Sequence, residues 1–314
     1  MSTQPVPPPI VCSEEVRTAL EESRAVVALE TSVLAQGLPP PHNSEARARI
    51  TAAVRSRGAV AAWIAVDGGA VRVGLDDEGL GHLMEPGAAS KVARRDLPVA
   101  VAREGLGATT VSATLWAANR AGIEVAATGG IGGVHHRSGD VSADLLELAR
   151  TPGLLVCSGP KSIVDPAATA ERLEELGVVV VGYRCDRLPF FLVSECDVRL
   201  EHRVESPAEA AAVALAAVRL GTPSTVLLCN PIPQDWAMEP ERVATGVRAC
   251  EARAEREGVR GKSLTPFLLA CLSEETQGAS LAANLALLES NAALAAEVAG
   301  AIAASGARSW RSPS

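Results

Sequence analysis

Lysine is nearly missing from this 314-residue chain: of its 29 Lys and Arg side chains only Lys91, Lys161 and Lys262 are lysines. Aromatic residues make up 3%, so any core has to be built from Ala, Val and Leu. No Lys/Arg-rich block occurs and the formal charge is −8, which argues against a groove that neutralises phosphates along a nucleic acid. Long apolar runs are missing too. The longest, Ala210 to Val218, ends at Arg219, about half of the roughly 20 residues that span a bilayer. Met1 to Ile10 holds no Lys or Arg and so lacks the positive start of a signal peptide. The seven cysteines form no CxxC and no His-spaced pair. They read as reduced thiols of a cytoplasmic protein without a zinc site, with Cys157, Cys185 and Cys229 as core fillers.

What is present is apolar and regular. With 47% hydrophobic and 21% charged residues the chain can bury a sizeable core, which excludes global disorder. Short β-branched runs alternate with Ala-rich helical segments. Strands are expected at Ala25–Thr31, Val60–Val66, Val71–Gly74, Ile123–Thr128, Leu154–Cys157, Val178–Gly182 and Thr225–Cys229. Asp165-Pro166, Ser206-Pro207 and Thr265-Pro266 each put a capping oxygen before a proline suited to the first helical position. Ser44 and Ser280 are expected to cap helices running to Arg57 and Ala304, and Gly177, Gly221 and Gly258 to close helices. Repeated βα units predict an α/β fold, a largely parallel sheet between helical layers, in a single domain over residues 13–304 with flexible tails at 1–12 and 305–314. In such sheets ligands gather beyond the carboxyl ends of the strands, where Glu30, the glycine loop from Gly129, Lys161 and Asn230 all fall.

The scarcity of lysine directs attention to the three that remain. A guanidinium stays protonated, whereas a primary amine can deprotonate and form a Schiff base. Lys161 lies in CSGPKSIVDP, between a strand and a helix start; the alternative is a surface lysine. Glu30 ends the strand VVALE, where a carboxyl can give or take a proton or merely accept backbone N–H groups. The loop TGGIGGVHH, with four glycines in five residues, allows close backbone approach to a ligand or is a tight structural turn. Asp140 and Asp144, four apart, suit a hard, oxygen-ligated ion or helix capping and dipole compensation. Lys91, Arg94 and Arg95 form a cation cluster fit for a phosphate, with Thr110 and Val111 opening the next helix toward the same anion; the alternative is a solvated helix end. Asn284, Leu288 and Asn291 share one helix face, where an amide can read a pyrimidine edge or satisfy backbone groups. His135 and His136, being adjacent, make a poor metal pair.

Ten segments in order, VVALETSVLAQGLPPPHN, GAVAAWIAVDGGAVRVGL, KVARRDLP, GATTVSAT, ATGGIGGVHH, DVSADLLELA, GPKSIVD, NPIPQDWAM, GKSLTPFLLA and SLAANLALLESNAALAAEVA, resemble the pseudouridine-5′-phosphate glycosidases, the indigoidine synthase A family. The resemblance runs from about Val26 to Val298. It implies an α/β/α subunit in a homotrimer that reversibly cleaves pseudouridine 5′-phosphate to uracil and ribose 5-phosphate with Mn²⁺ (or Mg²⁺). By the same resemblance Glu30 is the proton donor and Lys161 the nucleophilic amine. Lys91, Thr110, Val111, Ser142, Ala143 and Asp144 contact substrate, Asp140 holds the metal, and Asn284 contacts the base. The chain departs from the family pattern at Thr31-Ser32, Gln36, Pro40, Pro160, Trp116 and Trp236, which places drift on the base side and keeps the sugar side intact. Some relatives join ribose 5-phosphate to a different carbon nucleophile, and that synthase chemistry is the alternative; a non-catalytic phosphosugar-binding protein is the third.

Overall fold

The computed structural model describes residues 10–136 and 140–306. Its strands are Ile10–Cys12 (β1), Val26–Glu30 (β2), Val60–Asp67 (β3), Ala70–Val73 (β4), Ser90–Val92 (β5), Gly107–Thr109 (β6), Val125–Ala127 (β7), Gly153–Cys157 (β8), Val179–Tyr183 (β9), Arg203–Val204 (β10) and Thr225–Cys229 (β11). They form one sheet in the order β1-β4-β3-β2-β7-β8-β11-β9-β10, with β5 and β6 branching off β3. Pairing is parallel except where β3 meets β4 and β6. The seven strands expected from apolar runs are all present within a residue or two of their ends. Residues 10–12, expected in the tail, form β1 beside β4. The remaining tail residues, 1–9 and 307–314, lie outside the described residues.

Both faces of the sheet are apolar because both are covered. Along β2, Val27 and Leu29 join one core with Trp63, Leu154 and Leu228. Val26 and Ala28 join the other with Ile64, Leu155 and Leu227. The helices His42–Arg55, Pro207–Leu220 and Ala279–Ala304 cover the first face, and Glu14–Glu21, Val111–Ala121 and Pro166–Glu175 the second. This is the expected α/β/α arrangement. Alanine does much of the covering, since a small side chain lets a helix lie close on the strands. The C-terminal helix Ala279–Ala304 is long and apolar enough to cross a membrane by length and composition, yet it is largely buried, packed on β2, β7, β8 and the helix His42–Arg55.

Helix boundaries follow local chemistry where a cap is unambiguous. Asp165 and Ser206 cap their helices through Ala168 N (3.0 Å) and Glu209 N (3.2 Å), and Gly221 and Gly258 end theirs in the left-handed conformation. Three expected starts differ. Ser44 and Ser280 lie inside helices that begin at His42 and Ala279, and the helix expected from Thr265 begins at Leu264, after a short 3₁₀ turn over Gly261–Ser263. The reading of the cysteines also needs correction: Cys250 and Cys271 form a disulfide that joins the helices Pro240–Glu257 and Leu264–Glu275. The pair lies 21 residues apart with no motif spacing, so only the antiparallel packing of those helices brings it together.

Candidate active site

Three adjacent central strands, β2, β7 and β8, end at one cleft. Glu30 is the last residue of β2, Thr128 follows β7, and Lys161 lies four residues beyond β8. From the side, β5 and β6 fold over the end of β3 and bring in Lys91 and Thr110. That folding-over is fixed by buried threonines. Thr31 Oγ1 and Thr109 Oγ1 donate to Ile64 O at 2.7 and 2.6 Å, and Thr109 N donates to Thr31 Oγ1 at 3.0 Å. The ten residues to which the family resemblance assigns a role line this cleft: Glu30, Lys91, Thr110, Val111, Asp140, Ser142, Ala143, Asp144, Lys161 and Asn284. So does Lys262. Every lysine of the chain therefore faces one cavity, which chance survival of three surface residues does not explain.

Glu30 is 6% exposed, and its two oxygens accept from Thr128 Oγ1 and from Ser32 Oγ (2.7 Å). Two hydroxyls thus orient a carboxyl that the strand has carried to the mouth of the sheet. Lys161 is half-buried, and its Nζ donates to Gly130 O. Its backbone is clamped as well, with Lys161 N donating to Ile131 O at 2.9 Å and Ile131 N to Gly159 O at 3.1 Å. The amine is held against the glycine loop, away from open solvent. Burial, and next the Lys161 ammonium, hold the Lys91 amine below the ordinary lysine range, with Asp144 and Glu30 opposing.

The glycine loop serves packing first. A Cβ at Gly132 would stand 2.3 Å from Ser142 Oγ, and one at Gly133 2.3 Å from Thr169 Oγ1. Its amides at Gly132 and Val134 donate to Asp144 Oδ2 (3.0 Å) and Thr169 Oγ1 (3.0 Å). Asp144 also accepts from Ser112 N at 3.1 Å, joining the loop to the start of the helix Val111–Ala121. Each of its oxygens accepts one backbone N–H, which fixes the orientation of the carboxyl in the cleft wall. Asp140 lines the cleft beside His135, whose N–H donates to Asp140 O at 2.9 Å and whose imidazole burial keeps below its usual range. Among the described residues no group of three or more His, Cys, Asp or Glu is gathered to hold an ion. One carboxylate with a neighbouring imidazole fits a hard divalent ion that keeps most of its water.

The cation cluster is rearranged relative to expectation. Arg94 is taken up by the buried Glu147, with Nη1 2.8 Å from both carboxylate oxygens. Lys91 and Arg95 face the cleft, together with Lys161 and Lys262. Of the two asparagines, Asn291 takes the backbone-satisfying alternative. Asn291 is fully buried and donates to Thr128 O (2.9 Å), while its Oδ1 accepts from Asn230 (3.0 Å), so it fastens the loop to the C-terminal helix. Asn230, expected in the pocket, stands behind it. Asn284 lines the cleft, and among the described residues its buried Oδ1 has no hydrogen-bond partner, nor has Oε1 of Gln36, which also lines it. Apolar Val33, Leu269, Leu288 and Phe191 are part of the same lining. Of the departures from the family pattern, only Ser32 and Gln36 line the cleft; Trp116 and Trp236 do not. Sequence reasoning assigned no role to Lys262 or Thr128 and set His135 aside as half of a poor metal pair; the signal for Lys262 was the rarity of lysine itself.

Comparison with known proteins places this geometry among relatives. The pseudouridine-5′-phosphate glycosidase of Symbiobacterium thermophilum is 47% identical over 297 residues, spanning 92% of this chain and 96% of the relative. That of Gemmatimonas aurantiaca is 48% identical over 285 residues, 90% and 93% of the two chains. Among solved structures, the prealnumycin C-glycosynthase AlnA in complex with ribulose 5-phosphate superposes with a TM-score of 0.87 at 40% identity, covering 94% of this chain and 97% of that one. An indigoidine synthase A-like protein from Thermotoga maritima does so at 0.87 and 36%, covering 94% and 96%. The family profile described as indigoidine synthase A like protein matches residues 15–301, and the chain belongs to that family.

Proposed function

We propose that the chain cleaves and forms the C–C glycosidic bond between ribose 5-phosphate and a pyrimidine, converting pseudouridine 5′-phosphate and water to uracil and ribose 5-phosphate through a lysine–ribose imine. The observation that carries this reading is the meeting of an oriented acid, Glu30, and a half-buried amine, Lys161, in a cleft that also gathers the chain's other two lysines. Ordinary glycosidases protonate an oxygen leaving group between two carboxylates. A C-glycoside offers no lone pair on its leaving carbon, so a different electron sink is needed. The neutral Lys161 amine adds to the anomeric carbon, and the ring oxygen leaves with a proton. Glu30 delivers a proton to the base carbon of the scissile bond. That bond then breaks as the amine lone pair forms the C=N double bond, and water hydrolyses the imine to free the aldehyde and Lys161. Lys91, Thr110 with Val111, and Ser142 to Asp144 hold the phosphosugar, Asn284 contacts the base, and the helix start at Val111 supports the anion. A Mn²⁺ or Mg²⁺ ion at Asp140, beside His135, would supply a positive charge that orients bound oxygen atoms. The same reading takes the chain as one catalytic domain over residues 13–304, assembled as a homotrimer in the cytoplasm.

Incubation with pseudouridine 5′-phosphate should release uracil, and borohydride with ribose 5-phosphate should leave a mass adduct on the Lys161 peptide. Lys161→Ala and Lys161→Arg should both fall by at least about a thousandfold in turnover, since a guanidinium keeps the charge but not the nucleophile. Normal turnover in either variant ends the proposal. A second reading, synthesis from ribose 5-phosphate and another carbon nucleophile, is supported by the 40% identical C-glycosynthase and by Ser32 and Gln36 in the cleft wall. Imine trapping without uracil release would select it.

A further inference from the structure

Lys262 has no part in the reading above, yet it is the third lysine of the cleft. It arrives from outside the sheet, on the 3₁₀ turn Gly261–Ser263 between the two disulfide-linked helices. Its Nζ stands 2.8 Å from Asp96 Oδ2. Asp96 belongs to the segment that follows Lys91, and Ala93, Arg95 and Asp96 all line the cleft, so Lys262 is docked at the Lys91 end. The pair is open to water, with side-chain exposures of 49% for Lys262 and 22% for Asp96. Such an ion pair is weak and exchanges readily for a stronger anion. Asp96 does not depend on it for its place, because Oδ2 also accepts Ala93 N at 3.0 Å.

We propose that Lys262 is a further phosphate-binding residue, paired with Asp96 and transferred to the substrate phosphate when it enters beside Lys91. Asp96 is then a competitor that sets affinity: it parks the ammonium at the rim and must release it. In the exchange Lys262 trades a singly charged carboxylate for a phosphate dianion, and Asp96 keeps its bond from Ala93 N. This inference rests on the phosphosugar reading of the cleft. It predicts opposite signs for the two members of one ion pair, which a purely structural bridge does not.

Calorimetric titration with ribose 5-phosphate and with inorganic phosphate tests it, alongside thermal unfolding to check that each variant is folded. Lys262→Met should weaken phosphate binding about tenfold, the ordinary consequence of losing one charge-assisted contact. Lys262→Arg should keep affinity within a few-fold of the parent. Asp96→Asn keeps the acceptor for Ala93 N and removes the competing charge, so phosphate should bind about threefold more tightly. Equal binding by Lys262→Met and the parent, weaker binding by Asp96→Asn, or no binding of phosphate by the parent protein would each overturn the proposal. Failure of imine trapping with this binding pattern intact would instead remove the catalytic reading and leave the phosphate site standing.

Discussion

Lys91 joins the amine chemistry of the cleft to pH. Burial first, and then the nearby Lys161 ammonium, disfavour its charged form, so its proton is lost at a lower pH than an ordinary lysine would require. The sign for binding follows directly. Under the proposed function Lys91, charged below that depressed value, attracts the phosphate; as pH rises through it the charge is lost and KM for the phosphosugar should climb, while an unperturbed lysine would hold affinity into more alkaline solution. Lys91→Arg keeps its charge throughout, so the alkaline rise in KM should be absent in that variant. KM measured against pH for both proteins decides the matter, and superimposable profiles would show that Lys91 does not carry the dependence. At this scale much of the site was legible because its chemistry is rare in the chain. A lysine conspicuous among arginines and a carboxyl ending an apolar strand need no fold to stand out. The commitment of Arg94 to Glu147 was not legible, since that pair is 53 residues apart and only the packed helices bring it together.

Gly159 shows how an element can hold the Lys161 amine in place from two residues away. It adopts φ of +75° two residues before Lys161, and a Cβ there would stand 1.9 Å from Pro189 O. A backbone oxygen in a packed loop has nowhere to go, and the left-handed conformation adds its own strain. Gly159→Ala should therefore destabilise the fold by at least about 2 kcal/mol, within the range for backbone clashes, and lower turnover beyond what stability explains by moving the amine. Denaturant unfolding with steady-state kinetics checks both. Unchanged stability would mean that the loop before Lys161 is softer than its contacts imply. The same scale shows where sequence pattern stops. Strands such as β2, apolar throughout, were legible, whereas β5, β6 and β10 span two or three residues each and have too little sequence for any period. β6 and β10 pair with the longer β3 and β9, and β5 pairs in turn with β6. Ser44 and Ser280 misled because both are capping residue types, whereas their helices begin one or two residues earlier and their N–H groups donate to Asn43 Oδ1 and Thr276 Oγ1.

For the whole molecule, the two apolar faces of the sheet account for most of the fold, and the hairpin of helices Pro240–Glu257 and Leu264–Glu275 is the part held in an additional way. That hairpin brings Lys262, Thr265 and Leu269 to the cleft, and the disulfide Cys250–Cys271 closes it. Cross-linking residues 21 apart removes loop entropy from the unfolded chain worth about 3 kcal/mol in the simple chain model. Cys250 is fully buried and Cys271 is 3% exposed, so reductant should act through opening of the hairpin and not on its surface. Denaturant unfolding at equilibrium with reductant present should therefore have a lower midpoint than unfolding without it. The Cys250→Ala/Cys271→Ala double variant should unfold at one midpoint in both conditions. Intact mass after alkylation reports whether the bond is present in each sample. An identical midpoint for a fully reduced and a fully oxidised parent would show that helix packing alone fixes the hairpin, and that the link adds nothing to the wall that carries Lys262.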